Sequence, residues 1–365
     1  MSESDAAFPN ILVGFGFILI AAIAGGTFGL QYRVMRKYTV ENTSLISLFF
    51  ATIVVPLIAA NYLLPGWTDA IRQVGWQQNL LVFAFGFGWG LGAITYAYGF
   101  NILGMALAAA MIKGFTIAIG SGWPLVRRWD IVDPAAKTAT LLGLGILLVG
   151  TALAGVAGVW RENELSGKRS LDPERPEAHL STIPKPRSGL FLIGLAMALI
   201  SGVLSACANL GYDYARPLET AMGGDLQWKA TLIRWMPMYW GGMTALIIFM
   251  GGGMLRTGRW RNYFAPGTLR DFLIASSMGV VHFMAQIPYG IGAYYLDKAG
   301  HADLGTTVGF GANIGMALVV ATSIGFATGE WAGVSRRAVR ALQAGIAVLI
   351  LAVGILAYAN SLQVP

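Results

Sequence analysis

Ten apolar runs, each about twenty residues long, leave this chain little choice of solvent. They lie near residues 11–32, 43–64, 80–100, 104–126, 138–160, 189–213, 230–254, 272–296, 303–328 and 338–360. A hydrocarbon core about 30 Å thick is crossed by about 20 residues of helix at 1.5 Å per residue. Backbone polar groups cannot be left unpaired in lipid, so each run is expected to be a helix. The expected fold is an all-α integral membrane protein with ten transmembrane helices. Of the 365 residues, 56% are hydrophobic and 12% charged, about half the charge of a soluble domain. Cys207 is the only cysteine, so no intrachain disulfide can form. The first ten residues lack Lys and Arg, so no cleaved signal peptide is expected.

One long polar segment, residues 161–188, divides the runs five and five. Its prolines and mixed charge describe an exposed linker. The expected organisation is a first half over 1–160, the linker, and a second half over 189–365. Five spans per half force the halves into opposite orientations, an inverted repeat of the kind common in transporters. Gly26–Tyr32 aligns with Ala206–Tyr212, and the third and eighth spans are both followed by very tight junctions. Alternate loops hold sixteen of the 25 Lys and Arg residues, and the opposite side holds seven. The richer side, which includes the linker, is expected to be cytoplasmic, with both termini periplasmic. The net charge of +7 is thus spread over short loops, and no nucleic-acid partner is expected.

Phe83–Pro124 carries the strongest internal pattern. Gly86 and Gly90 are four apart, as are Gly88 and Gly92. Such small-residue pairs let helix backbones approach closely in a membrane. Trp89, Ala93, Tyr96 and Phe100 recur at helical spacing and place aromatic rings on one stripe. Lys113 stands nine residues inside the next run, about 13 Å from its end. That is more than its stem covers by snorkelling, so it needs an acceptor, and Asp213 or the neutral Asn313 could supply one.

No phosphate-binding loop, metal-ligand spacing or paired cysteines occur in the sequence, so no cofactor and no enzymatic activity are expected. The polar residues inside the spans are few: Lys113, Asn209, Asp213, Arg234, His282, Gln286 and Asn313. Amides and a charge or two, beside the aromatic faces of Trp89, Tyr96, Phe283 and Tyr289, suit an uncharged polyhydroxylated solute. Lys113, Asp213 and His282 are the candidates for proton coupling. The same aromatics also fit helix packing or interface belts, and the amides fit interhelical ties. Pro237 and Pro288 are expected to break the seventh and eighth spans around a cavity.

Several stretches resemble the L-rhamnose–proton symporter family of the drug/metabolite transporter superfamily. They are Trp89–Tyr96 (WGLGAITY) with Leu103–Met105, Ser201–Pro217 (SGVLSACANLGYDYARP), Gly279–Gln286, and Gly329–Trp331 followed by Arg336 and Arg337. The resemblance implies sugar uptake across the inner membrane by proton symport, with the proton gradient as energy source and the bilayer as surroundings. It carries Trp89, Tyr96 and Gln286 over as site positions. The family pattern has amides near Ala93 and Thr95 and apolar residues at Lys113 and His282, where this chain differs. Two other readings fit the residues: a transporter or exporter of another small metabolite, and a membrane-embedded sensor or enzyme.

Overall fold

In the computed structural model, backbone is described for residues 3–27, 34–103, 105–169, 188–300 and 303–362. Ten helices are long and apolar enough to cross a membrane. They are α1 (Glu3–Thr27), α2 (Val40–Leu63), α3 (Trp76–Leu103), α4 (Met105–Arg127) and α5 (Pro134–Arg169), then α6 (Ser188–Tyr214), α7 (Gly224–Thr257), α8 (Leu269–Lys298), α9 (Gly305–Ala327) and α10 (Arg336–Ser361). Short helices Trp67–Val74 and Arg216–Ala221 occupy the α2–α3 and α6–α7 links. Among the described residues there is no strand.

Three local features differ from the sequence expectations. Residues 161–169, read as linker, continue α5 as helix. That extension is anchored: Arg161 pairs with Glu330, Glu162 accepts from the Ala106 N–H, and Glu164 accepts from Ser335. The rest of the linker, 170–187, lies outside the described residues. Pro288 does not break the eighth span, because α8 runs unbroken through it; only the helix bond to the carbonyl four residues back is lost. Pro237 sits in the first turn of the α-helical part of α7, after a 3-10 segment Gly224–Arg234, where a missing N–H costs little.

The helix neighbours of α1–α5 resemble those of α6–α10. α3 packs on α6 and α7, while α8 packs on α1 and α2; α4 packs on α5 and α6, while α9 packs on α10 and α1; α5 pairs with α10, and α4 with α9. The core is largest where α6, α7, α8 and α9 meet, around Tyr212, Trp235, Tyr239, Phe283 and Tyr289. Large apolar side chains such as Leu142 on α5, Phe249 on α7 and Leu351 on α10 point outward, as a lipid-facing surface requires.

The two glycine pairs of α3 serve different partners. Gly88 and Gly92 face α6, where an added Cβ would press on Cys207 and on Leu204 and Ser205. Gly86 and Gly90 face α7, where the Met238 and Gly242 carbonyls occupy the space of a side chain. On α7, Gly241 lies against the Phe83 carbonyl in the same way. Gly241→Ala is therefore expected to destabilise the purified protein by about 1–3 kcal/mol through overpacking. Thermal unfolding in detergent checks this, and an unchanged midpoint would refute the close approach.

Candidate functional site

Trp89, midway along α3, is seated by a glycine on α7. A Cβ at Gly242 would stand 2.6 Å from its indole ring. From there a ring of aromatics in successive contact runs across five helices. Trp89 meets Tyr239 at 5.9 Å and His282 at 6.3 Å between ring centroids. Tyr239 stacks on Trp235 at 5.3 Å and meets Phe283 at 6.2 Å. Trp235 meets Tyr212 at 4.5 Å, Tyr212 meets Tyr289 at 5.5 Å, and Phe310 of α9 caps Tyr289 at 6.3 Å.

The ring holds polar atoms without partners. Among the described residues, Trp235 Nε1 and the Tyr239 hydroxyl are buried and make no hydrogen bond. Their side chains are 4% and 1% exposed. A buried donor left unmade costs about 1–3 kcal/mol, so such atoms call for a ligand or a functional reason. Trp235 and Tyr239 are one helical turn apart, so both polar atoms come from one stripe of α7. The Tyr289 hydroxyl is engaged, donating to Asn209 Oδ1 at 2.5 Å. Apolar walls from Phe283 and Phe310 complete the ring. Carboxylates are absent from it, which suits a neutral ligand with hydroxyls on its edge and C–H groups on its faces.

Charge is gathered instead where α4, α6 and α8 end and α9 begins. Asp213 receives Arg128 Nη2 at 2.6 Å, Arg127 Nη1 at 2.8 Å and Arg216 Nε at 3.4 Å. The Thr306 hydroxyl of α9 donates to Asp213 Oδ1 at 2.7 Å. Arg216 also pairs with Asp297 at 2.8 Å and Asp303 at 3.3 Å. The three arginines and three aspartates balance, and the Asp213 side chain is fully covered. Beside them Arg234 pairs with Glu219 and lies over the Tyr212 ring at 4.9 Å. The arginines at the end of α4 thus bind Asp213 at the end of α6, a charged seal between these helix ends.

The sequence candidates divide accordingly. Trp89, Phe283, Tyr289 and His282 lie in the ring. Asn209 lies behind it as an interhelical tie, with both amide hydrogens used on carbonyls. Asp213 lies in the charged seal and is not the partner of Lys113. Its arginine contacts sit 14 residues along α4 from Lys113, about 21 Å away. Lys113 is half-buried and forms no ion pair among the described residues. Asn313 is half-buried on α9 with its Oδ1 unpartnered. Gln286 lies on α8 between His282 and Tyr289, half-buried. The Tyr96 side chain lies outside the described residues. Tyr212, Trp235 and Tyr239 were not among the candidates; for the last two the sequence signal was the i, i+4 pair Trp235/Tyr239 shortly before Gly241 and Gly242. Among the described residues, no group of three His, Cys, Asp or Glu side chains could hold a metal ion.

No protein-family model matches the chain. Curated relatives are similar to it along nearly their whole length. The L-rhamnose-proton symporters of Cronobacter sakazakii and Yersinia pestis are each 24% identical over 365 residues, covering 94% of this chain and 96% and 97% of theirs. The L-rhamnose-proton symporter of Pectobacterium atrosepticum is 23% identical over 361 residues, covering 94% of this chain and 97% of that protein.

Proposed function

We propose that this protein is a secondary transporter that imports a neutral sugar, L-rhamnose or a related deoxy sugar, together with protons. The observation that carries the proposal is the buried aromatic ring with unpartnered Trp235 Nε1 and Tyr239 hydroxyl. Hydroxyls of a sugar would satisfy both atoms, and Trp89 and Phe283 would cover its C–H faces. The names of the relatives support the same substrate class. The helix neighbours, similar in the two halves, support a 5+5 inverted repeat of the drug/metabolite type, rocking about the α5–α10 and α4–α9 pairs to give alternating access. The test is uptake of labelled L-rhamnose, L-fucose and D-mannose into proteoliposomes, with and without a pH gradient. Binding without flux would indicate a sensor, and chemical change of the sugar an enzyme.

In this account the basic linker side faces the cytoplasm, and the Asp213 seal closes the periplasmic side. A cysteine introduced at Ser170 is expected to resist an impermeant reagent on intact cells, while one at Ser2 reacts. Equal reactivity would overturn the orientation.

His282 is the titratable candidate that touches the ring. Protonation beside Trp89 adds a cation–π attraction and changes the ring that holds the sugar. His282→Gln is expected to keep sugar exchange across the membrane and lose accumulation driven by a pH gradient. That phenotype from Lys113→Met, with His282→Gln unaffected, would place the proton site on α4 instead.

A further inference from the structure

Asn209 stands between the aromatic ring and the charged seal, and every hydrogen of its amide is in use. Its Nδ2 donates to the Gly120 carbonyl on α4 at 2.7 Å and to the Thr306 carbonyl on α9 at 2.8 Å. Its Oδ1 accepts from the Tyr289 hydroxyl on α8 at 2.5 Å. The side chain is buried at 1% exposure. Thr306 in turn donates its hydroxyl to Asp213 Oδ1, and Asp213 binds Arg127 and Arg128 at the end of α4. One path of hydrogen bonds therefore leads from Tyr289, a wall of the ring, through Asn209 and Thr306 to the ion pairs of the seal. It passes through α8, α6, α9 and α4, the helices that must separate for the sealed end to open.

We propose that Asn209 is a positioning residue for transport, coupling occupancy of the aromatic ring to the ion pairs around Asp213. It rests on the sugar reading of the ring. A sugar hydroxyl that engages Tyr289 competes for the bond to Asn209 Oδ1. The same amide holds α4 at Gly120 and α9 at Thr306, so a change at Tyr289 reaches both helices at once. The Asn209 bond falls on the Thr306 carbonyl and the Asp213 bond comes from its hydroxyl, so the two are linked through the position of this one residue in the first turn of α9. A ligand moves a conformational equilibrium only by its differential affinity for the two states. This path is where that difference arises.

Thr306→Val tests the coupling with little change in volume, because it removes only the hydroxyl on Asp213. Thr306→Ser restores the hydroxyl, and Asn209→Leu removes the tie itself. The reporter is Ser121→Cys on α4, a fully buried site, in protein carrying Cys207→Ala. Labelling by an impermeant maleimide is timed in proteoliposomes with and without L-rhamnose. Binding is measured separately by tryptophan fluorescence. In the parent, L-rhamnose is expected to change the labelling rate by about fivefold or more, the usual floor of site-to-site coupling. Thr306→Val and Asn209→Leu bring that ratio to about one, Thr306→Ser keeps it, and the Kd of Thr306→Val stays within about threefold of the parent, under 1 kcal/mol. A full ratio in Thr306→Val overturns the coupling. So does a Kd that rises in step with the lost ratio, which would make these residues sugar ligands. Absence of L-rhamnose binding in the parent refutes the sugar reading instead. The labelling rate without sugar then decides the relay, rising in Thr306→Val if the path holds the seal and staying level if it does not.

Discussion

Asp213→Ala is expected to destabilise the folded protein by about 3–5 kcal/mol, the cost of leaving buried charge without its partner. Arg127, Arg128 and Arg216 all aim at this carboxylate, and its side chain is fully covered. With the carboxylate gone, Arg128, itself only 10% exposed at the side chain, has no other ion-pair partner among the described residues, while Arg216 still has Asp297 and Asp303. Asp213→Asn should cost less, since the amide oxygen still accepts from Thr306 and one arginine. Asp213→Asn combined with Arg128→Gln should recover part of the loss, because the pair is removed together. Unfolding midpoints in detergent measure all three. Equal midpoints for Asp213→Ala and the parent would show that the seal carries no stability.

Tyr239→Phe should act in opposite senses on stability and binding, and Trp235→Phe should weaken binding. Each keeps an aromatic ring and removes a buried polar atom that has no partner; Tyr239→Phe loses the hydroxyl alone, and Trp235→Phe loses the five-membered part of the indole. Stability should hold or rise in Tyr239→Phe, because an unmade buried hydrogen bond costs about 1–3 kcal/mol, while in Trp235→Phe the cavity left in the core offsets that gain. Sugar affinity should fall about tenfold for each, the worth of about 1.4 kcal/mol, and about a hundredfold for the pair if they act independently. Calorimetric titration with L-rhamnose and a melting curve on the same sample separate the two effects. A variant that loses stability and keeps affinity would assign Trp235 and Tyr239 to packing.

The ten spans were legible because bilayer thickness imposes a length and a composition that few residues can satisfy. The double use of α3 was also legible, since Gly86/Gly90 and Gly88/Gly92 announce two close approaches before either neighbour is known. Trp89, Phe283 and Tyr289 stood out as aromatics inside apolar runs. Trp235 and Tyr239 did not, because beside Arg234 they resemble interface residues at a span end. Only the 3-10 segment Gly224–Arg234 brings that end of α7 into the core. The union of Asp213 with Arg127 and Arg128 joins residues about 85 positions apart, and nothing local in either stretch encodes it. The extension of α5 to Arg169 was hidden by the prolines that follow; its glutamates are fixed by contacts with other helices rather than by propensity. Lys113 was visible as an anomaly, but its surroundings are a matter of tertiary placement, and Asp213 proved to be committed elsewhere.

The central claim is coupled movement of sugar and protons, and the external pH of a lightly buffered proteoliposome suspension reads it directly. Addition of L-rhamnose, with no pH gradient imposed and with potassium and valinomycin to clamp the voltage, should make the outside medium more alkaline as sugar carries protons inward. The pulse should vanish with a protonophore, shrink in Trp235→Phe/Tyr239→Phe, and be absent in His282→Gln while that variant still exchanges sugar. Sugar entry in the parent protein with no alkaline pulse would contradict the account.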